Sequence, residues 1–259
     1  MNISKEIREI QKTLAEMRDL DAEQAITLPP ACYTSEEFLE LEREEIFRKE
    51  WICLGRVDEV PRPGDYFTTE LIDEPLIVVR GQDDRIRVLS NVCRHRSSVI
   101  LEGAGNAKNF VCPYHAWTYG NDGQLLRAPY MDQVKGFEVR NCQLPEFATE
   151  FWHGFIYVNL DGKAKPLAPR LKGLEPYIKN YHMEDMSHQF REEQVWDANW
   201  KCLVENFMDV PHTVFVHRGW FRSPARRKVP TTVERTRDSV LVTYDEPGDS
   251  IGFWGRILN

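Results

Sequence analysis

The first fifty residues carry apolar positions at the spacing of helices. Isoleucine, leucine and methionine recur at intervals of three and four from Ile3 to Met17, which places them on one face of a single helix. The Leu-Pro-Pro turn at 28–30 blocks continuation of this helix. A second helix is predicted to begin at Thr34 or Ser35, either of which can cap it, and to continue through the acidic stretch that follows.

From about residue 51 the pattern changes to short β-branched and aromatic runs separated by glycine, proline and aspartate. The runs are WICLG, DYFTTEL, PLIVVRG, RIRVLSNVC, NFVC, AWTYG, QLLRAP and FIYVNL. Strands of this length and spacing predict a small antiparallel barrel or sandwich over residues 45–165. Two polar tetrapeptides, GQDD and GNDG, are typical of hairpin loops between such strands.

The remainder of the chain mixes both patterns. The stretch 163–173 is predicted to be a linker or surface crossing, and a strand is expected over 191–200. A helix is expected over 201–217, followed by two strand-like runs, TTVERT and SVLVTYDEP. We therefore predict an α+β chain with a helical segment at 1–44, an all-β domain at 45–165 and a mixed domain at 166–259.

Composition narrows the function classes. The 259 residues are 42% hydrophobic and 29% charged, which is ordinary globular usage. The net charge of −8 argues against a general nucleic-acid binder, and no apolar run approaches a membrane span of about 20 residues. Six cysteines without a signal peptide favour a reducing cytoplasm, where cysteine is free to bind metal.

Two Cys/His pairs form the first candidate site. Cys93-Arg-His95 and Cys112-Pro-Tyr-His115 each follow a predicted strand, so two loops can project four ligands toward one point. Thiolate and imidazole suit zinc or an iron–sulfur centre, and zinc would accept all four in a tetrahedron. One Cys and one His from each loop also suits a two-iron cluster, with two thiolates on one iron and two imidazoles on the other. Four unrelated side chains are the remaining alternative.

A second candidate site lies in the mixed domain. His212 and His217 are five residues apart, which separates them by about 140° on a regular helix, so convergence on one metal requires a bend such as Pro211 provides. Asp209 lies one turn before His212 on nearly the same face. Two imidazoles and one carboxylate are the ligand set of non-heme Fe(II) oxygenases. Two histidines at this interval are weak evidence for a metal site when taken alone, because the adjacent Val214, Phe215 and Val216 are typical of a core.

Together these motifs resemble the Rieske non-heme iron oxygenases, the large (alpha) subunits of ring-hydroxylating and demethylating systems, and in particular the aromatic-ring-hydroxylating dioxygenases. NVCRHRSS and FVCPYHAWTYGNDGQL carry the resemblance over 51–161, and NWK, ENF and the Asp-x-x-His-x-x-x-x-His pattern carry it further on. The resemblance implies N-terminal helices, a small antiparallel all-β Rieske domain and part of a mixed helix and antiparallel-sheet (helix-grip-like) catalytic domain.

The resemblance also implies roles for individual residues. The implied ligand sets are Cys93 and Cys112 on one iron of a [2Fe-2S] cluster, His95 and His115 on the other iron, and His212 and His217 on a mononuclear Fe(II). Asp209 would be a bridging carboxylate that hydrogen-bonds to His115 of a neighbouring subunit, and Asn206 would lie near the mononuclear iron. The family's carboxylate iron ligand lies on a much later helix, whereas 42 residues follow His217, so we expect the chain to be truncated.

The implied activity is O₂-dependent hydroxylation, by mono- or dioxygenation, of a small organic substrate of the aromatic class, with electrons from NAD(P)H arriving through a ferredoxin and/or flavin reductase. A demethylating or quaternary-amine monooxygenase is the alternative, and an electron-transfer Rieske fragment is another. The bridge between neighbouring subunits implies a homotrimer. We expect a cytoplasmic protein that acts with neither nucleic acid nor membrane.

Overall fold

The computed structural model describes residues 3–18, 20–209, 212, 216, 230–235, 239–244 and 255–258. They belong to two compact units, one composed of Met1–Leu39 with Glu192–Asn259 and the other of Glu40–Arg191. We call them the helical unit and the β unit. Helices and antiparallel strands both occur, so the predicted α+β class is confirmed.

The elements are numbered in chain order. The helices are α1 (Lys5–Arg18), α2 (Ala31–Thr34), α3 (Glu36–Glu42), α4 (Leu167–Leu171), α5 (Glu175–Ile178) and α6 (Trp200–Met208). The strands are β1 (Ile52–Arg56), β2 (Asp65–Leu71), β3 (Glu74–Arg80), β4 (Ile86–Ser90), β5 (Ala104–Asn106), β6 (Asn109–Val111), β7 (Thr118–Gly120), β8 (Leu125–Arg127), β9 (Glu146–Trp152), β10 (Phe155–Asn159), β11 (Pro230–Arg235), β12 (Ser239–Tyr244) and β13 (Gly255–Leu258).

The β unit is organised around β3. A seven-stranded antiparallel sheet runs in the order β1-β10-β9-β4-β3-β2-β5, and a separate three-stranded sheet runs β6-β7-β8. Because alternate side chains of a strand face opposite ways, Leu76 and Val78 pack into one core while Ile77 and Val79 pack into another. All four are fully buried, which explains why this strand reads as an unbroken apolar run.

Two stretches of the β unit differ from the sequence prediction. Strand β9 was not predicted, because glutamates and a threonine interrupt its apolar residues. The 163–173 stretch is not a surface linker, since it contains α4, and Leu167 and Leu171 are only 3% and 2% exposed against Tyr157. Residues 166–191 therefore belong with the β unit rather than with the domain predicted to begin at 166.

The helical unit joins the N-terminal helices to α6. The Lys201 ammonium lies 5.2–5.9 Å from the ring centres of Tyr33, Phe38 and Trp200, and the lysine is 8% exposed. The amide of Asn199 donates to the carbonyl of Tyr33 at 3.2 Å. These contacts explain why residues 1–39 do not form a separate unit, in contrast to the predicted 1–44 segment.

Two further predicted elements of this unit, the strand over 191–200 and the helix over 201–217, differ from the observed ones. The described residues of 191–200 form no strand. Over the predicted helix 201–217, α6 begins at Trp200 and ends at Met208, Asp209 is not helical, His212 and Val216 are helical again, and the remaining positions lie outside the described residues. The predicted strands near 231–236 and 239–247 correspond to β11 and β12, which pair with β13 in an antiparallel sheet. Among the described helices, none is long and apolar enough to span a bilayer.

Candidate metal centre

The two Cys/His loops have the same backbone hydrogen-bond pattern. In the first, the Ser97 N–H donates to the Cys93 carbonyl at 3.0 Å, and the Cys93 N–H donates to the Ser98 carbonyl at 2.9 Å. In the second, the Ala116 N–H donates to the Cys112 carbonyl at 3.0 Å, and the Cys112 N–H donates to the Trp117 carbonyl at 2.8 Å. Each loop is therefore closed on its own cysteine.

Each loop reverses direction at a residue with left-handed backbone. Ser97 has a φ of 53° and Ala116 a φ of 57°, a conformation that costs non-glycine residues about 1 kcal/mol or more. The two strained residues occupy equivalent positions, four residues after the cysteine. The matched geometry gives two similar loops, each ending a strand and each presenting one cysteine and one histidine.

Strand pairing and one buried amide hold the loops at their bases. The side-chain oxygen of Asn91 accepts the N–H groups of Ile100 and Leu101 at 3.2 and 2.9 Å, and its amide donates to the Leu101 carbonyl at 2.8 Å. The second loop is closed by the pairing of Val111 with Thr118 across β6 and β7. Asn91, only 2% exposed, is a functional support that the sequence analysis missed.

The structure brings the two cysteines together in the core. Cys93 and Cys112 are each 2% exposed, and both belong to the same buried cluster. Burial raises the pKa of the Cys93 thiol, although hydrogen bonds from Tyr119 and the His95 N–H oppose that rise. A metal would displace the thiol proton and bind the thiolate.

The two histidines meet beside the cysteines. The ring centres of His95 and His115 are 4.7 Å apart at an interplanar angle of 72°, and His95 stacks on Trp117 at 4.8 Å and 7°. Partial burial and the nearby His115 and Arg96 lower the pKa of His95. The neutral imidazole, which is the form that binds metal, therefore prevails at neutral pH.

The donor set fits a mixed thiolate and imidazole centre. The Nδ1 of His115 is buried and has no hydrogen-bond partner among the described residues, and the same holds for the indole nitrogen of Trp117. Buried polar atoms are normally paired, so this unpaired imidazole nitrogen is available to bind a metal. All four residues of the first predicted site thus lie together.

Tyr119 is a further member of this site that the sequence analysis missed. Its hydroxyl lies 3.3 Å from the Cys93 sulfur and accepts the Arg94 N–H at 3.0 Å. Burial raises the pKa of Tyr119 well above the usual range. One sequence signal could have placed Tyr119 in the core. It lies two residues after Trp117, and alternate residues of a strand share one face.

The second predicted site is described in part. Helix α6 ends at Met208, Asp209 is its C-terminal cap, and the Asp209 N–H donates to the Glu205 carbonyl at 2.9 Å. The His212 ring nitrogen Nδ1 contacts the Asp209 carbonyl and lies 3.7 Å from the Asp209 carboxylate. Asp209 and His212 are thus brought together, whereas His217 and Pro211 lie outside the described residues.

Helix α6, which precedes Asp209, is hydrogen-bonded to the N-terminal helices through Glu205. Asn206 is exposed on the last turns of α6. One residue earlier, Glu205 accepts a 2.7 Å hydrogen bond from the Tyr33 hydroxyl, which raises the pKa of Tyr33 to about 12. This contact was not predicted, because nothing in the local sequence pattern links Tyr33 to Glu205, which lie far apart in the chain.

Two family models match the chain. Residues 50–138 match the Rieske [2Fe-2S] domain, and residues 196–258 match the vanillate O-demethylase oxygenase C-terminal domain. The first range contains both Cys/His loops, and the second contains α6 with Asp209 and His212. The β unit therefore carries a Rieske [2Fe-2S] domain.

Similar curated proteins are oxygenase subunits. The carnitine monooxygenase oxygenase subunit of Acinetobacter baumannii is 36% identical over 199 residues, which are 76% of this chain and 54% of that protein. The glycine betaine monooxygenase oxygenase subunit of Chromohalobacter salexigens is 35% identical, over 74% of this chain and 43% of its own. The benzene 1,2-dioxygenase alpha subunit of Pseudomonas putida is 35% identical, over 78% and 46%. The chain thus spans about half the length of the curated relatives it matches.

Solved structures agree with these relatives. A quaternary ammonium Rieske monooxygenase in complex with L-carnitine has a TM-score of 0.77 at 32% identity, covering 85% of this chain and 63% of that one. Naphthalene 1,2-dioxygenase from Rhodococcus sp. bound to indole has a TM-score of 0.78 at 27% identity, covering 96% and 59%. The fold implied by the sequence resemblance is confirmed, and the chain belongs to the Rieske non-heme iron oxygenase family.

Proposed function

We propose that this chain is part of a Rieske oxygenase subunit that oxidises a quaternary-ammonium substrate with O₂. The support is that carnitine and glycine betaine monooxygenase oxygenase subunits stand among its most similar relatives. This is the alternative reading of the sequence. The aromatic substrate that the sequence analysis favoured is not confirmed by the comparisons.

The observation that carries the proposal is the convergence of two buried thiols on two imidazoles. We assign Cys93 and Cys112 to one iron of the cluster and His95 and His115 to the other. Both cysteines are 2% exposed, and the histidine rings are 4.7 Å apart. When bound, the cluster transfers single electrons, and the mononuclear iron activates O₂.

The protein's own residues hold and shield this site. Closed backbone loops fix each cysteine, and Trp117, which is 2% exposed, supports the His95 ring on one face. The surrounding core includes Phe110, Leu125 and Leu144, each no more than 4% exposed, so it excludes water from the sulfur side. The imidazole side remains open, since His95 is exposed. An electron therefore has its shortest path through the histidine end.

For the mononuclear iron we assign His212 and His217 as ligands. Asp209 is assigned as the carboxylate that orients His212, and as the bridge to His115 of a neighbouring subunit. The 3.7 Å contact between Asp209 and His212 supports the first of these roles. Asn206 is assigned a place near the iron, on the same helix as Glu205.

The proposal extends to partners. Electrons would come from NAD(P)H through a flavin reductase, with or without a ferredoxin. A homotrimer would place each Asp209 beside the cluster of the next subunit. Both statements follow from the family and from the assigned role of Asp209.

An aromatic dioxygenase is the second candidate. It is favoured by 35% identity to the benzene 1,2-dioxygenase alpha subunit and by the TM-score of 0.78 with naphthalene 1,2-dioxygenase. Both candidates require the same cluster and the same mononuclear iron. They differ in the substrate and in whether one or two oxygen atoms are inserted.

The two candidates are separated by substrate-dependent O₂ consumption. The full-length subunit of which this chain is part, supplied with NADH and a flavin reductase, is tested with L-carnitine, glycine betaine and benzene in separate reactions. We expect consumption of O₂ matched by loss of a quaternary amine, and no oxidation of benzene. Oxidation of benzene alone would reject the quaternary-amine proposal. The variant Asp209→Asn should stop turnover while leaving the visible spectrum of the cluster unchanged.

A further inference from the structure

One tyrosine of the N-terminal segment contacts α6 at its beginning and in its last turn. The Tyr33 carbonyl accepts a hydrogen bond from the Asn199 amide at 3.2 Å. The side-chain oxygen of Asn199 in turn accepts the Lys201 N–H at 3.1 Å, which caps the start of the helix. The Tyr33 hydroxyl donates to the Glu205 carboxylate at 2.7 Å. Backbone and side chain of one residue therefore hold opposite ends of α6.

The end of α6 is stabilised by this hydroxyl. The helix has nine residues, and a helix this short is marginal without tertiary contacts. Its last turn contains the acidic Glu205 and no basic residue, although the helix dipole favours cations at that end. The Tyr33 hydroxyl supplies a hydrogen-bond donor to this carboxylate where a cation would otherwise be favoured. The contact therefore offsets the unfavourable position of the glutamate.

The same turn positions the residues assigned to the mononuclear iron site. The Asp209 N–H donates to the Glu205 carbonyl at 2.9 Å, and the Asp209 backbone then leaves helical geometry. The Asp209 carboxylate lies 3.7 Å from Nδ1 of His212. Contacts thus run from the Tyr33 hydroxyl through Glu205 and Asp209 to His212, and all four residues belong to the helical unit.

We propose that Tyr33 is a positioning residue for the mononuclear iron site, because its hydroxyl holds the last turn of α6 through Glu205 and thereby keeps Asp209 and His212 in place. The inference rests on the proposed function, since it requires His212 to be an iron ligand. A prearranged site loses less conformational freedom when it binds its metal. Loss of the hydroxyl should therefore weaken metal binding although every ligand is retained.

The main test is metal binding by Tyr33→Phe in the full-length subunit of which this chain is part. The variant loses the hydroxyl but keeps the carbonyl that binds Asn199 and the ring near the Lys201 ammonium. The subunit, with its cluster in place and its mononuclear site emptied, is titrated with Co(II) by equilibrium dialysis, and metal analysis counts cobalt separately from cluster iron. We expect binding to be about fivefold weaker, the factor that corresponds to one net hydrogen bond. An unchanged dissociation constant would overturn the inference.

The matched control is Thr34→Val, which removes a hydroxyl from the next residue of the same helix, α2. The Thr34 hydroxyl donates to the Pro30 carbonyl at 3.2 Å, within its own segment. We expect the dissociation constant of this variant for Co(II) to equal that of the unaltered subunit. A loss as large as that of Tyr33→Phe would reveal a general loosening of α2 and would reject a specific role for Tyr33.

Variants at Glu205 test the same hydrogen bond from its other side, so the inference stays testable if Tyr33→Phe fails to fold. Glu205→Gln keeps an oxygen that accepts from the tyrosine, and Co(II) binding should stay close to that of the unaltered subunit. Glu205→Leu keeps no acceptor, so it should bind about fivefold more weakly, and adding Tyr33→Phe should cause no further loss. Equal losses in the two single variants, or additive losses in the double variant, would contradict the proposal.

The outcomes also separate this inference from the proposed function. If the unaltered subunit binds no metal besides its cluster, both are overturned. If it binds Co(II) and neither Tyr33→Phe nor Glu205→Leu weakens that binding, only the role of Tyr33 is overturned.

Discussion

The two candidate metal regions are built differently. The four residues of the β unit lie on two loops that are each closed by their own backbone hydrogen bonds and set in one buried core. The Asp209 and His212 pair lies past the end of α6, and Asp209 is exposed. In the first region loop hydrogen bonds and core packing hold the four residues, whereas in the second the structure describes a contact between Asp209 and His212.

The difference predicts how each metal region responds when its residues are substituted. A preformed site binds its metal with little loss of conformational freedom, and the metal's binding energy adds to the stability of the fold. The Asp209 and His212 pair instead depends on α6, at whose C-terminal end it lies. The first region should therefore respond to ligand substitution by losing the cluster, and the second should be sensitive to the contacts that hold α6.

The largest expected effect is loss of the cluster in Cys112→Ala. One iron would lose one of its two thiolates, and the site holds no substitute donor at the same position. The iron bound as cluster should fall from about two per chain to near zero. The matched control is Cys142→Ala, because Cys142 packs against the same core, and we expect it to retain both irons. Iron retained in Cys112→Ala would show that this thiol is not a ligand.

The next effect tests whether the two regions are independent. Lys201→Ala removes the ammonium that contacts three aromatic rings and should destabilise the helical unit by about 2 kcal/mol. The visible spectrum of the cluster should not change, since Lys201 belongs to the other unit. Chemical denaturation followed by tryptophan fluorescence, with the cluster absorbance recorded in parallel, measures both. Simultaneous loss of both signals at lower denaturant would contradict independence.

A smaller effect concerns the pH dependence of the β unit. Burial lowers the pKa of His153, but hydrogen bonds from the ring to Glu175 and Glu184, at 3.0 and 3.1 Å, outweigh burial and raise it. A raised folded-state pKa gives stability that is complete below about pH 6.5 and is lost as the pH rises through the folded value.

His153→Gln tests this linkage directly. The variant should lose about 1 kcal/mol near pH 6 and match the original protein more closely near pH 9, when unfolding free energies are compared by denaturant titration. An equal deficit at both pH values would mean that His153 contributes by packing rather than by its charge. Because His153 belongs to the β unit, the helical unit should show no such change.

The smallest effect is at the left-handed turn of the second loop. Ala116→Gly should stabilise the β unit by about 0.5 kcal/mol, because the relief of a φ of 57° exceeds the added freedom of the unfolded chain. The control Ala107→Gly, at a packed alanine outside the positive-φ positions, should destabilise it instead. Thermal unfolding of the two variants distinguishes these signs.

Much of the β unit was predictable because its signals are local. Short apolar runs between turn residues predicted strands such as β3 and β10, and the loop position of each Cys/His pair followed from the strands before it. Strand β9 was missed because glutamates and a threonine interrupt its apolar residues, and α4 was missed because the prolines around it are typical of a linker.

The contacts that support the two sites were not predictable, because they join distant parts of the chain. The Tyr119 contact to Cys93 depends on the register of β7 against the first loop. The Tyr33 contact to Glu205 depends on how the N-terminal helices pack on α6. The early end of α6 also differs from the prediction, since the spacing of Asp209, His212 and His217 was treated as one bent helix.

The central claim is that two cysteines and two histidines of the β unit hold one asymmetric two-iron cluster. Its most direct test is pulsed electron–nuclear double resonance on the reduced protein after labelling histidine with ¹⁵N. The account predicts couplings from two histidine nitrogens, with one of them absent in His115→Cys and the cluster potential lowered in that variant. A reduced cluster without histidine coupling, or zinc in place of iron, would contradict it.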